Sequence, residues 1–577
     1  MAATVAQPGT APYNNYFVTE DKLEYVPSYF RDVPETREEV QCETSGVWPD
    51  WVDGTFVRIG AGRFTIPLSE DGSKPKAVLQ HFFDGLGMLH KFRMKNGRVF
   101  YQSRHTAEGV VSKAKKQGFV STVMFGVNGN TPLKMAQDPC SALLGAQQSM
   151  YFPTTFVAPD EVNINVVPRR GMHLPPDKNP YSRGSPAEDP ATEEVLVHTD
   201  FNMLQVCDAK TLEPKRILTY AEIDPQLQGF GICAHPPKDR KRGLHFNYLI
   251  DPRDGSLSIF SMDFMAKPAK LQWKTTIPCK PCYVHSLAMT DKYVVFIRNP
   301  LHMDVSDTTK QVAEMIEFEP HTPTLFFVLD KFTGQHVATY EQPDGFMFFH
   351  SVNAYDYVDL QTGRVNIHVD VCSYKGSYVP YREYNLSNII DPAGPYQDGT
   401  LTRYELAGVE TIASTSSPGI ATVAAVIAGV PSELPRIAKS ASMDPNYRYV
   451  YFTAGNGGPS PGTAVPIGRL SKSNAVKEVH AAFFGCLAKS DWKTGGHKIW
   501  QPENGESCPC EPVFIQRPGA TEEDDGIVLT IVVDREGTHS ILVALDGSTF
   551  EEVARAELPQ VYSLGPHGSF VEGKFGV

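Results

Sequence analysis

Short runs of β-branched and aromatic residues recur along the whole chain, each ending in a polar turn. Residues 294–297, 325–329, 365–371, 449–453, 527–533 and 541–545 are such runs, and their length and side-chain type predict strands. Asp208-Ala-Lys-Thr-Leu, Asp251-Pro-Arg-Asp-Gly, Asp330-Lys-Phe-Thr-Gly, Asp359-Leu-Gln-Thr-Gly and Asp546-Gly-Ser-Thr each follow one run and precede another. An aspartate at the head of a turn can accept from its own backbone two residues on, and glycine takes the positive φ such turns require. Many short antiparallel strands over a long chain predict an all-β fold. Radial repetition hides the sheet edges of such a chain, which points to a β-propeller. The repeat is too degenerate for a strict period, so the pattern alone leaves the number of blades open.

Long helices are scarce. Residues 168–194, rich in Pro, Gly and charge, read as an inserted surface loop. Residues 405–430 mix Ser, Thr, Gly and Ala without clear periodicity and read as a long connection. Strand patterns of the same character resume on both sides of each. The chain therefore reads as one domain over residues 1–577, with residues 1–20 as a flexible N-terminal arm.

Composition narrows the partners. Of 577 residues, 41% are apolar and 21% charged, which is ordinary for a globular protein. The net charge of -13 argues against nucleic acid, whose binders neutralise phosphates with a basic face. It also argues against electrostatic attraction to anionic lipid, so contact with a membrane or lipid droplet is expected to be peripheral and apolar. Residues 1–16 lack the basic start and apolar run of a secretory signal. Residues 420–430 are the most apolar run and are too short to span a bilayer. Ten cysteines include the close pairs Cys279/Cys282 and Cys508/Cys510, but no second pair stands at a spacing that suits zinc. The expected compartment is the cytoplasm.

Four of the 17 histidines stand out by context: His235 in Gly-Ile-Cys-Ala-His-Pro, His285 in Cys-Tyr-Val-His-Ser, His350 in Phe-Met-Phe-Phe-His-Ser, and His567 in Gly-Pro-His-Gly-Ser-Phe. Each lies beside an apolar or strand-like stretch, where the inner ends of blades would bring them toward one axis. A set of imidazoles suits iron, zinc, copper or nickel. Taken singly, each reads first as a hydrogen-bonded core histidine. Ligating histidines usually pass their second N–H to a carboxylate. Glu511 in Cys-Glu-Pro-Val-Phe-Ile, Glu433 in Ser-Glu-Leu-Pro-Arg and Asp200 in Val-His-Thr-Asp-Phe are candidates. Singly, each also reads as a surface or turn carboxylate.

Nearly end to end, the motifs resemble the carotenoid cleavage oxygenase family. Pro49-Asp-Trp-Val-Asp-Gly-Thr-Phe-Val-Arg-Ile-Gly and Ala61-Gly-Arg-Phe look like its opening strand. His81-Phe-Phe-Asp-Gly-Leu-Gly-Met-Leu-His90-Lys-Phe looks like its most recognisable segment, followed by Tyr101-Gln-Ser-Arg104. Glu511-Pro-Val-Phe-Ile, Glu522-Glu-Asp-Asp-Gly-Ile-Val-Leu-Thr, Ala554-Arg-Ala-Glu-Leu-Pro and Pro566-His-Gly-Ser-Phe complete the match. The resemblance implies a seven-bladed β-propeller with a helical and loop cap over an apolar tunnel. It implies iron(II) held by His235, His285, His350 and His567, with carboxylates at Glu433 and Glu511 behind them. At the third such position the family usually has Glu, and this chain has Asp200. Either the backbone shifts toward its histidine or a water bridges. His81 and His90 belong to a motif read as structural.

The implied reaction is oxidative cleavage of one C=C bond of a carotenoid or apocarotenoid by O2, giving two carbonyl products. Relatives that cleave stilbenes place a Lys immediately before the first of the three carboxylates behind the histidines, where this chain has Thr199, and a Tyr in the segment matching residues 107–111, where this chain has none. The pattern looks most like the fungal torulene-cleaving members. Asp138-Pro-Cys140 resembles a short motif of the animal branch that includes retinoid isomerases. The alternatives are a stilbene-cleaving enzyme, a retinoid isomerase and a metal-free propeller that binds partners. Apolar cap segments at residues 119–127 and 142–152 are the expected membrane contacts.

Overall fold

The computed structural model describes residues 16–120, 125–126, 157–304, 312–319, 321–375, 384–390, 399–413, 417–454, 485–506, 509–534 and 536–576. The fold is mostly β, and among the described residues the longest helix is Glu108–Gln117. Antiparallel sheets follow one another in chain order. Strands from Val167–Arg170 to Pro214–Leu218 make one four-stranded sheet, and those from Lys238–Asp239 to Lys270–Ile277 the next. An eight-stranded sheet runs from Ala288–Met289 to Gly419–Ile427, and another four-stranded sheet spans Glu433–Arg436 to His497–Trp500.

The two ends of the chain are stitched together. His567–Glu572 pairs with Gly54–Arg63, Ile59 standing opposite His567. Glu43–Gly46 pairs with Glu552–Glu557, which belongs to the sheet that starts at Val513–Gln516. These pairings cover strand edges that would otherwise be open.

The eight-stranded sheet is two antiparallel four-stranded units. They join only where Tyr340 and Glu341 pair in parallel with Gly419 and Ile420. Sheets pack face to face. Leu196, Leu204 and Val206 of one sheet meet Leu249, Phe260 and Met262 of the next in a single cluster. Gly526–Val533 is buried at all eight positions, which explains its unbroken apolar run, since both of its faces are covered. Each fully buried Val, Leu or Ile contributes roughly 1.5–3 kcal/mol.

All five turns read from the sequence are hairpin turns of one form. The N–H at the fifth residue bonds the aspartate carbonyl in Asp208 to Leu212, Asp251 to Gly255, Asp330 to Gly334, Asp359 to Gly363 and Asp546 to Phe550, and Asp491 to Gly495 is a sixth. The fifth residue always has positive φ. The aspartate carboxylate accepts from backbone N–H groups inside the turn, as from Lys210 and Thr211 at 2.9 and 2.8 Å. Leu212 and Phe550 take the position usually given to glycine, and both are buried, so packing offsets a backbone strain of order 1 kcal/mol.

Three expectations change. Residues 405–430 are not a connection: Thr400–Leu406 and Gly419–Ile427 are paired strands, with the short helix Val409–Ala413 between them. Ile420, Val423 and Val426 of that outer strand are exposed, so no polar alternation marks it. The inserted loop of residues 168–194 is narrower than expected, because Val167–Arg170 pairs with Glu194–His198. Pro168 is tolerated there because its strand is at the edge of the sheet. Of the expected arm, residues 1–15 lie outside the described residues, while Val18 is fully buried and tied to Gln80 at 2.7 Å. Residues 142–152, Asp138-Pro-Cys140 and most of 119–127 also lie outside the described residues. No helix among the described residues is long and apolar enough to cross a membrane.

Candidate metal centre

The four histidines reach one point from four separate strand beginnings. His235 precedes Lys238–Asp239, His285 precedes Ala288–Met289, His350 lies in Phe346–Val358, and His567 opens His567–Glu572. A parallel bridge between His235 and Ser286, with His235 N–H donating to the His285 carbonyl at 3.2 Å, locks the first two together. One ligand atom from each imidazole lies within 4.8 Å of the others. Ring centroids are between 4.0 Å, for His235 and His567, and 6.2 Å, for His285 and His567.

Three of the rings are held from behind by carboxylates. His285 Nδ1 is 2.9 Å from Asp200 Oδ1, His567 Nδ1 is 2.9 Å from Glu511 Oε1, and His350 Nδ1 bonds Glu433 Oε2. Asp200 therefore reaches its histidine directly, despite being one methylene shorter than Glu. Tyr283 supports it, the hydroxyl donating to Asp200 Oδ2 at 3.1 Å. Tyr374 donates to Glu433 Oε1 at 2.8 Å, and Leu434 N–H donates to Oε2 at 2.7 Å. Leu434 has a φ of 50°, a strained setting that aims its N–H at the carboxylate. Arg436 donates to Glu511 Oε2 at 2.9 Å, and so does Gly568 N–H.

The hydrogen-bond pattern assigns the tautomers. A carboxylate accepts, so Nδ1 of His285, His350 and His567 carries the proton and each Nε2 presents a lone pair. Nε2 of His285 and of His350 is buried without a hydrogen-bond partner among the described residues. Nε2 of His567 lies 2.8 Å from Nε2 of His235. Lone pairs gathered at one buried point repel unless a cation sits among them. Burial, then the neighbouring rings, hold His235 well below the usual histidine range. Burial holds His567 there too, against the pull of Glu511. Burial pushes the Glu511 carboxyl up, but Arg436 and His567 outweigh it and hold it below the usual carboxylate range. Neutral imidazoles braced by carboxylates are the donor set a divalent metal ion takes.

The centre opens onto a cavity. Its wall includes Phe83, Phe125, Phe349, Tyr384 and Leu564, together with Thr199, Asp200, His285, His350 and His567. Phe349 stacks on His285 with ring centroids 4.2 Å apart. Asp84 also lines the cavity. Burial pushes its carboxyl up to about 7 against the N–H groups of Phe125 and Gly126 that it accepts from.

His81 and His90 serve the scaffold. His81 Nδ1 accepts from Phe83 N–H at 3.1 Å, and His90 lies between Tyr101 and Ser563 hydroxyls at 2.9 and 2.8 Å. Cys279, Cys282 and Cys510 are free thiols, and among the described residues the four histidines are the group that could hold a metal. Sequence reasoning missed Tyr283, Tyr374, Arg436 and Arg58 as parts of the site. Arg58 is fully buried and donates to the carbonyls of Glu511 at 2.8 Å and Gly565 at 2.7 Å. Its place inside the opening motif was the available signal, because a charged residue in a buried strand needs partners.

Known proteins are similar to this chain over most of its length. A carotenoid dioxygenase of Neurospora crassa is 27% identical, the match covering 94% of this chain and 90% of that protein. A torulene dioxygenase of Gibberella fujikuroi is 28% identical, covering 93% of this chain and 92% of that protein. Among solved structures, the cobalt-substituted Synechocystis apocarotenoid oxygenase superposes with a TM-score of 0.65 at 20% identity, over 95% of this chain and 98% of that one. That likeness establishes the propeller-like fold alone. The family model described as retinal pigment epithelial membrane protein matches residues 30–572, and this chain belongs to that family of carotenoid oxygenases.

Proposed function

We propose that this protein is an iron(II) dioxygenase that cleaves a C=C bond of a carotenoid or apocarotenoid with O2, torulene being the first substrate to try. The observation that carries this reading is the convergence of His235, His285, His350 and His567 at the head of an aromatic-lined cavity. Two of their Nε2 atoms are buried and unpartnered among the described residues. The names of the relatives from Neurospora and Gibberella support the substrate class.

In this reading the four histidines hold iron(II), and Asp200, Glu433 and Glu511 hold the Nδ1 protons of His285, His350 and His567 in place. The metal supplies oxygen activation when bound. The chain's own work is positioning. Phe83, Phe125, Phe349 and Leu564 form a wall against which a polyene can lie with one double bond beside the histidines. The same wall excludes water from that bond. No side-chain acid or nucleophile is needed for this chemistry.

The sheet pattern supports seven blades if the eight-stranded sheet counts as two four-stranded ones joined at Tyr340 and Gly419. The pairing of the chain's two ends supports one domain over residues 1–577. A cytoplasmic enzyme in peripheral, apolar contact with a membrane or lipid droplet fits a lipid-dissolved substrate. The test is incubation of the iron-loaded chain with torulene, apocarotenals and resveratrol under ¹⁸O2, followed by mass analysis. Aldehyde fragments carrying ¹⁸O from a polyene support the proposal. Cleavage of resveratrol alone, or no cleavage by iron-loaded protein, counts against it.

A further inference from the structure

Next to the four-histidine centre, close enough for the charge of Arg169 to act on His235, a second group of buried polar atoms lacks partners among the described residues. Val167–Arg170 is the edge strand of its sheet, and Val167 stands opposite His198. Side chains two apart on a strand share a face, so Arg169 and His198 lie diagonally on one face. In the neighbouring sheet Lys238 stands opposite His245. The rings of His198 and His245 are 6.0 Å apart and inclined by 26°, so the two faces meet there. The Tyr220 hydroxyl, 2.9 Å from His245 Nε2, fixes that ring.

His198 and His245 are fully buried. Both ring nitrogens of His198, Nδ1 of His245 and Nε of Arg169 have no hydrogen-bond partner among the described residues. Buried polar groups are nearly always satisfied by protein, water or an ion. Two of the four side chains are cations, and their neighbours add charge of the same sign. Burial, then Arg169 and Arg240, push the Lys238 ammonium down to about 7. Burial, then Arg436 and Arg240, push Arg169 down to about 9. Glu511 is the carboxylate whose charge reaches Arg169, and it is already taken by Arg436 and His567. A metal ion would be repelled from such a set, whereas an anion would be held.

We propose that Arg169, Lys238, His198 and His245 form a binding site for a small oxyanion of the size of bicarbonate or phosphate. The planar fork of Arg169 offers parallel N–H groups that match two oxygens of one anion. Lys238 and an imidazole N–H complete the ring of donors. The half-buried Arg170 and the exposed Arg240 lead from there to the surface, where the Glu572 carboxylate offsets part of their charge. The site does not depend on the reaction proposed above.

Calorimetric titration of the metal-loaded full chain with inorganic phosphate and with sodium bicarbonate tests this. The expected result is saturable binding of at least one anion, weakened tenfold or more in K238M and in R169M. No saturable binding, or equal affinity in all three chains, overturns the site. Should a variant fail to fold, crystals of the unaltered chain soaked in selenate decide. An anomalous peak between Arg169 and Lys238 supports the proposal, and water alone at that place overturns it.

Discussion

Glu511 Oε1 lies 2.9 Å from His567 Nδ1, and both side chains are almost completely buried. One residue opens the strand that closes the fold, and the other follows directly on Cys510. Their hydrogen bond thus joins the closure of the fold to the orientation of the candidate ligand.

Replacing Glu511 should cost more than replacing Asp200. Glu511 also neutralises Arg436, whereas the Asp200 side chain is partly exposed and shares its histidine with the Tyr283 hydroxyl. Loss of a carboxylate behind a ligand typically costs about 10–100-fold in metal affinity. Glu511→Ala should fall at the far end of that range and Asp200→Ala at the near end. Metal affinity of the two variants checks the order, and a reversed order contradicts it.

Removing residues 567–577 and changing His567 alone should differ. The truncation strips the partner from Gly54–Arg63 and leaves an open edge, so it should unfold at much lower urea. Full-length His567→Ala should keep the β-sheet circular dichroism of the unaltered chain while losing its metal. Equal stability of the two would contradict the role given to strand closure.

Arg58→Met should destabilise without touching the metal. It would leave the buried carbonyl of Glu511 without its partner, at about 1–3 kcal/mol, and Gly565 with only the longer 3.4 Å bond from the Tyr562 hydroxyl. Urea unfolding should show a loss of roughly 3 kcal/mol. An unchanged midpoint would mean that water replaces the guanidinium.

How much of this was legible in the sequence follows from the range of each interaction. The Asp-headed turns are local, and all five that were read are in place. Strand runs buried on both faces, such as Gly526–Val533, announce themselves. Gly419–Ile427 did not, because its apolar side chains face outward. The histidines were legible through the motifs around them, not through spacing. The direct reach of Asp200 to His285 depends on two sheets meeting, so composition could not decide between contact and a bridging water. Tyr374 and Glu433, 59 residues apart, meet only in the folded chain.

The metal-free chain should lose stability in mild acid. In the unfolded chain histidine titrates near about 6.5, while folding holds His235 and His567 well below that. The unfolded state then binds more protons below that pH, so stability is fully present above it and declines as the pH falls toward the folded values. Glu511 adds a loss of the same sign, beginning only near about 4.5. The urea midpoint of iron-free protein should be lower at pH 5.5 than at pH 8, and equal midpoints would contradict the buried neutral rings.

The most direct measurement is metal content, by mass spectrometry of the purified chain and of the single variants His235→Ala, His285→Ala, His350→Ala and His567→Ala. The account predicts about one iron per unaltered chain and little or none in each folded variant. Full iron in any one of the four, or a folded and catalytically active chain that contains no iron, would contradict it.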